Sequence, residues 1–246
     1  MNFDLRIFET VTSTMDLAIE AAEDGAEEGY VVAAAEQTSG RGRRGRRWSS
    51  PPGVGVYLSI VLRPRADAVD GRVFAILTLA AGVAVRAAVN RLTGLDAQLK
   101  WPNDVLIGPR KVAGILAEGI NVGTAQQTVI LGIGINVADG VYLDAVGLQA
   151  TSLERESGHR IESATVRDEV LAEVGDIYDR LSQGEADDIL REWRSASPRS
   201  TGAHVEWDGP TGTQRGTTQG IDESGALLVR TADEVRRVIG GELRWL

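Results

Sequence analysis

The sequence predicts an α+β fold, a mixed sheet flanked by helices, with a small C-terminal β-barrel. Three observations carry this. Short β-branched runs alternate with segments of helical periodicity as far as Trp193. One long apolar stretch, Val73 to Leu92, reads as a helix packed on a sheet. After Ser197-Pro198 the texture changes to short alternating runs separated by turns, which divides the chain into residues 1–197 and 198–246.

Taken in order, Ser13-Thr14-Met15-Asp16 has the S-x-x-D form of a helix start, and the helix it opens runs to a stop at Gly25. Tyr30 to Ala35 reads as a buried strand. Glu36 to Pro52 is loop-like, punctuated by Gly40, Gly42, Gly45 and Pro51-Pro52. Val56 to Leu62 is a second strand, stopped by Pro64. After the long helix come three apolar runs of strand length, Ala97 to Trp101, Val112 to Ala117 and Val129 to Ile135. Thr165 to Leu181 has helical spacing, and Ala186 to Trp193 makes a further helix. In the tail, Ala203–Trp207, Leu227–Arg230 and Glu234–Ile239 are strand-like, with turns at Asp208-Gly209-Pro210 and Ser224-Gly225.

Composition narrows the function. With 43% hydrophobic and 25% charged residues, the 246-residue chain has the make-up of an ordinary globular protein. No window reaches the roughly 18 uninterrupted apolar residues of a membrane span, and the first ten residues lack the pattern of a signal peptide, which predicts a cytoplasmic protein with no membrane partner. Zero cysteines remove disulfides and thiolate chemistry, and His159 and His204, the only two histidines, read as surface residues. The net charge of -9 argues against general DNA binding. Any basic site is therefore local.

One such site is dense. Three glycines and five arginines fill the eight residues Gly40 to Arg47, followed by Trp48. Glycine lets backbone approach a ligand closely, and guanidinium forks bind phosphate or carboxylate oxygens. In an extended loop, Arg41 and Arg43 face the same way. A solvated basic loop, a nucleic-acid-binding tract and a pocket for a small phosphate-bearing ligand all fit this segment taken alone. A second segment, Lys100-Trp101-Pro102-Asn103-Asp104 followed by Arg110-Lys111-Val112-Ala113-Gly114-Ile115-Leu116, predicts a hairpin whose Pro-Asn-Asp turn lies near Lys111. That hairpin gathers a cation, an amide and a carboxylate, with Asp104 the candidate Mg2+ ligand. Gly132-Ile133-Gly134-Ile135-Asn136 lacks the third glycine and the helix of a dinucleotide fingerprint.

GRGRRGRRW, KWPNDV and RKVAGILAE, in this order, resemble the biotin protein ligase family. The similarity extends to Thr12-Ser13-Thr14, to Gly132–Val137, to Ala150–Leu153 and to the Gly220-Ile221-Asp222 and Gly225–Val229 segments, so it spans nearly the whole chain. The resemblance implies a catalytic domain like that of class II aminoacyl-tRNA synthetases, with an SH3-like barrel at the C-terminus. It implies that ATP and biotin form biotinyl-AMP, with Mg2+, and that biotin then passes to a lysine of a biotin carboxyl carrier domain. Lys111 and Arg43 would be catalytic. Ser13 and Thr14 would contact the ureido ring and Gln37 another part of biotin, while Gly40, Arg41, Gly42, Arg43 and Gly114 would contact biotin and phosphate. Trp48 would cover the ligand, Asn103 and Asp104 would lie near the phosphates and magnesium, and Asn136 near the adenylate. Many family members carry Asn where this chain has Met15. The motifs start within the first 15 residues, from which a ligase without a repressor function is expected, acting as a monomer or weak homodimer. A lipoate or octanoate ligase of the same fold is the nearest alternative.

Overall fold

The structure is a computed structural model, and it describes residues 1–64, 73–121, 124, 127–140, 149–209, 212–240 and 243–246. Its first sheet contains β1 (Asp4–Val11), β2 (Tyr30–Gln37), β3 (Gly55–Leu62), β4 (Gln98–Lys100), β5 (Asp104–Ile107), β6 (Arg110–Ile120) and β7 (Thr128–Asn136). Their spatial order is β1-β2-β3-β7-β6-β5-β4. β1 and β2 pair parallel and the other neighbours antiparallel, so the sheet is mixed, as predicted.

The period-two alternation of side chains decides what each face holds. Val31, Ile60 and Leu131 turn to one side, into the main core with α2 (Val73–Thr93), α4 (Ser163–Ser182) and α5 (Ala186–Ser195). Their chain neighbours Val32, Val61 and Ile130 turn to the other side and pack with Met15 and Ala18 of α1 (Thr14–Glu23). Over Ala75–Thr93, α2 is long and apolar enough to cross a membrane, with a mean hydropathy of 1.4. Just over half of that stretch is nevertheless buried within the molecule, against α4, α5 and β6.

After α3 (Leu153–Ser157), α4 and α5, the turn Pro198–Ser200 leads into a second sheet. It is antiparallel and five-stranded, with β8 (Thr201–Gly209), β9 (Gly212–Ile221), β10 (Leu227–Arg230), β11 (Val235–Val238) and β12 (Leu243–Trp245) in the order β11-β10-β9-β8-β12. This is consistent with the SH3-like unit expected. β8 continues through Gly209, and Pro210 of the expected turn lies outside the described residues. Both histidines are exposed.

The elements not anticipated are β1, β5, α3, β9 and β12. Six of the eight residues of β1 are exposed, so its sequence, DLRIFETV, lacks a clean apolar alternation. β5 has only four residues and β12 three. β9 carries glycine, threonine and glutamine where an apolar strand signal would stand.

Candidate active site

A cleft of about 700 Å3 opens on the α1 face of the first sheet. In the β6–β7 ladder Gly114 lies opposite Gly134 and Leu116 opposite Gly132, so these four and Asn136 point to the same side and make the floor. Glycine lets the covering groups descend. A Cβ on Gly132 would stand 2.6 Å from Met15 Sδ, and one on Gly134 would stand 2.6 Å from Trp48 Cε2. Trp48 thus lies on a glycine floor, its indole Nε1 buried without a hydrogen-bond partner.

Lys111 reaches this face through a register shift. Asp104 pairs with Gly114 and Val105 with Ala113, but the next partner of Leu106 is Lys111, so Val112 is an extra residue. Such a bulge re-aims the side chains beyond it. Val112 goes into the main core with Ala113, and Lys111 turns to the cleft beside Leu106. Its Nζ lies 2.5 Å from Asp104 Oδ1 and 5.2 Å from the centroid of the Trp48 ring. The single hairpin expected between Lys100 and Lys111 needs correction on this point. The Pro-Asn-Asp turn joins β4 to β5, and the bulged β5–β6 pair brings Lys111 back to Asp104.

The glycine-arginine loop closes the cleft from above. Gly42 is extended, but Arg43–Gly45 form a 3-10 turn with Arg44 at φ 58°, so the loop is not extended throughout. Arg43 Nη1 donates to Asn103 Oδ1 at 3.2 Å, and Asn103 Nδ2 donates to the Ile115 carbonyl at 2.9 Å. Burial holds the Arg43 guanidinium below its ordinary pKa, against the opposing pull of Asp104. Burial likewise lowers Lys100, helped by Lys111 and Arg199 and opposed by Asp104. Both cations are partly stripped of water, a state an anion would relieve. Arg41 differs from the expectation of a free phosphate-binding fork. Its guanidinium bonds Asp16 at 2.8 Å and both oxygens of Glu118 at 2.7 and 2.5 Å, although it also lines the cleft.

At the α1 end, Gln37 Oε1 accepts from the Thr14 backbone N–H at 2.8 Å and from Thr14 Oγ1 at 3.1 Å, while Gln37 Nε2 donates to Ser50. Asn136 Nδ2 donates to the Thr151 carbonyl, and the Thr151 N–H donates to the Lys111 carbonyl, so one residue ties the floor at Asn136 to Lys111. Thr14, Gln37, Arg41, Gly42, Arg43, Trp48, Asn103, Asp104, Lys111, Gly114 and Asn136 all line this one cleft. Ser13 and Gly40 do not. Ser13 is fully buried and its Oγ accepts from the Met15 N–H as the cap of α1, while the bare Cα of Gly40 admits the carbonyl of Trp48.

The lining also includes Lys100, Arg199, Arg244 and Trp245, which were not among the expected site residues. Among the described residues nine lysine and arginine side chains line the cleft against a single carboxylate, Asp104, in a chain of net charge -9. The two glycines of β7 carried a period-two signal in the sequence. The tail residues carried none. Among the described residues no group of three or more His, Cys, Asp or Glu is placed to hold a metal ion, and Asp104 is engaged by Lys111. That donor set fits Mg2+ arriving on a nucleotide, since Mg2+ keeps several waters and takes one or two carboxylates beside phosphates.

The family model described as the biotin/lipoate A/B protein ligase family matches residues 7–136, and that of the biotin protein ligase C terminal domain matches residues 202–242. The chain belongs to the biotin protein ligase family. Its relatives include the biotin--[acetyl-CoA-carboxylase] ligase of Paracoccus denitrificans, 36% identical over 81% of this chain and 83% of the relative. The bifunctional ligase/repressor BirA of Bacillus subtilis is 34% identical over 96% of this chain and 72% of its own length. Among solved biotin protein ligases, that of Aquifex aeolicus in complex with biotin and ATP superposes with a TM-score of 0.84 at 28% identity, covering 99% of this chain and 98% of the other.

Proposed function

We propose that the chain activates biotin with ATP to biotinyl-5'-AMP and transfers the biotinyl group to a lysine of a biotin carboxyl carrier domain. The observation that carries this reading is the convergence of Arg43 and Lys111, from segments far apart in sequence, on one cationic cleft in a member of this family. The two ends of the cleft differ. Thr14 and Gln37 offer hydroxyl, carbonyl and N–H groups that suit a urea, with Met15 and Leu116 as apolar wall. Arg43, Lys100 and Lys111 suit phosphates.

In the first step a carboxylate oxygen of biotin attacks the α-phosphorus and the bond to pyrophosphate breaks. Both reactants are anions, so their approach needs fixed positive charge in a water-poor site. Lys111, held between Asp104 and the Trp48 ring, supplies it where the carboxylate meets the α-phosphate. Arg43, anchored by Asn103, supplies it from the loop. Mg2+ on the nucleotide would neutralise further phosphate charge, and Asp104, the one carboxylate of the described lining, would hold it. In the second step an acceptor lysine amine attacks the carbonyl of the mixed anhydride, and AMP leaves with the bonding electron pair.

The lipoate or octanoate ligase reading is not favoured, because the relatives reported above are named as biotin ligases. We assign the catalytic unit to residues 1–197 and the C-terminal unit to 198–246, since the chain changes sheet after the turn at Pro198. Action as a monomer or weak homodimer is part of the same proposal. The cytoplasm, where ATP is plentiful, is the compartment that the proposal assigns to the chain. The test is incubation with biotin and Mg·ATP followed by mass spectrometry. Biotinyl-AMP should co-purify with the wild type and not with Lys111→Ala; pyrophosphate release with lipoate alone would overturn the substrate assignment.

A further inference from the structure

We infer that Asp16 and Glu118 are positioning residues that latch the glycine-arginine loop over the cleft through Arg41, and so set how long the acyl adenylate stays bound. The adenylate half of this inference rests on the proposed function; the latch itself does not. Asp16 stands in the first turn of α1 and Glu118 near the end of β6, while the guanidinium that joins them belongs to the loop. One arginine therefore fastens a loop to two elements of the scaffold. Neither carboxylate lines the cleft, so neither is placed to touch a substrate there.

The geometry is that of a fastener. Arg41 makes a two-oxygen contact with Glu118 and a further bond to Asp16 at 2.8 Å, a planar fork filled on both prongs. A further tether to the cleft wall, Arg43 to Asn103, is a single bond at 3.2 Å to a neutral amide, and Trp48 rests on the glycine floor at the loop's far end. Within the loop, the Gly42 N–H bonds the Arg46 carbonyl and the Trp48 N–H bonds the Gly40 carbonyl. Those bonds shape the loop without fixing it to α1 or β6. If Arg41 withdrew, two carboxylates gripping the same group would be left facing each other, and their repulsion favours return of the cation.

The three side chains are 35%, 48% and 31% exposed, for Arg41, Asp16 and Glu118 respectively, so water and salt reach them. Ion pairs of that exposure are individually weak and are screened by salt. The latch is therefore one that opens on the way to acyl transfer rather than a permanent closure. Its strength should appear in rates of opening, not in the chemical step.

The test uses the full chain with D16N/E118Q, E118Q alone, and D16E as the conservative variant. Trypsin cuts after arginine, so cleavage between Arg41 and Arg47 in the ligand-free protein reports loop opening. Loss of pre-formed biotinyl-AMP after rapid desalting reports its release. The double variant should be cut and should lose the adenylate about fivefold faster, the upper end for exposed ion pairs. E118Q should fall between, and D16E should behave as the wild type. Salt should speed both processes in the wild type and have little further effect in the double variant. Cleavage and release that stay within about twofold of the wild type, in a variant whose denaturation midpoint is unchanged, overturn the latch. If the wild type makes no adenylate, the proposed function fails and the trypsin comparison alone decides the latch.

Discussion

Lys111 shows how much a single side chain owes to its neighbours. Its ammonium is flanked by a carboxylate at 2.5 Å and an indole ring. A fixed cation at such a position stabilises developing charge without reorganising at the moment of reaction. Lys111→Ala should lower the rate of adenylate formation by about 10² to 10³, the scale of losing one oxyanion donor, measured by single-turnover pyrophosphate release. The floor glycines allow a second prediction. Gly134→Ala puts a methyl group 2.6 Å from Trp48 Cε2, so the indole must lift. Weaker ligand binding, with the protein still folded, should follow, and titration of tryptophan fluorescence with biotin and ATP would measure it. Lys111, Arg43, Asn103 and Asp104 were legible in the sequence because their chemistry is concentrated in two short motifs. Glu118 was not, because a lone glutamate in a strand gives no sign that an arginine from another segment will reach it.

At the scale of elements, α1 and β6 do most to place the site. α1 starts where the sequence says it should, with Ser13 as cap and Thr14 and Met15 turned into the molecule. Ser13→Ala leaves a buried N–H of the first turn without its acceptor and should cost about 0.5–2 kcal/mol, read as a lower urea midpoint at unchanged slope. The bulge in β6 was not legible. A strand's alternation predicts that Val112 and Gly114 share a face, and nothing in Arg110-Lys111-Val112 marks the extra residue. Its cause is tertiary: it lets Val112 and Ala113 both enter the core, and Lys111 is re-aimed as a consequence. The helices α4 and α5 were legible because burying one face imposes a long period on their sequences, and α2 because it is apolar at most positions. β1, β5 and β12 were not, being exposed or too short for a pattern to repeat.

Across the whole molecule, the second sheet is joined to the first sheet and its helices beside the site. The buried Trp101 Nε1 donates to the Gly225 carbonyl at 3.0 Å, and Arg194 reaches the Ile221 carbonyl. Gly225 itself packs on α2, where a Cβ would meet Leu79 Cδ1 at 2.8 Å. Trp101→Phe removes the donor and strands a buried carbonyl, a loss of about 1–3 kcal/mol that should lower one shared unfolding transition rather than split it in two. The same junction brings Arg199, Arg244 and Trp245 into the cleft, with Lys100 over the Trp245 ring at 5.7 Å. Trp245 and Arg199 act on Lys100 of the cationic hairpin, so the tail should serve the nucleotide end. Arg199→Ala combined with Arg244→Ala should raise the KM for ATP roughly tenfold, about 1.4 kcal/mol of lost binding, while the Kd for biotin alone changes little. Equal weakening of biotin and ATP would instead mean that the C-terminal sheet supports the cleft as a whole and not its phosphate end.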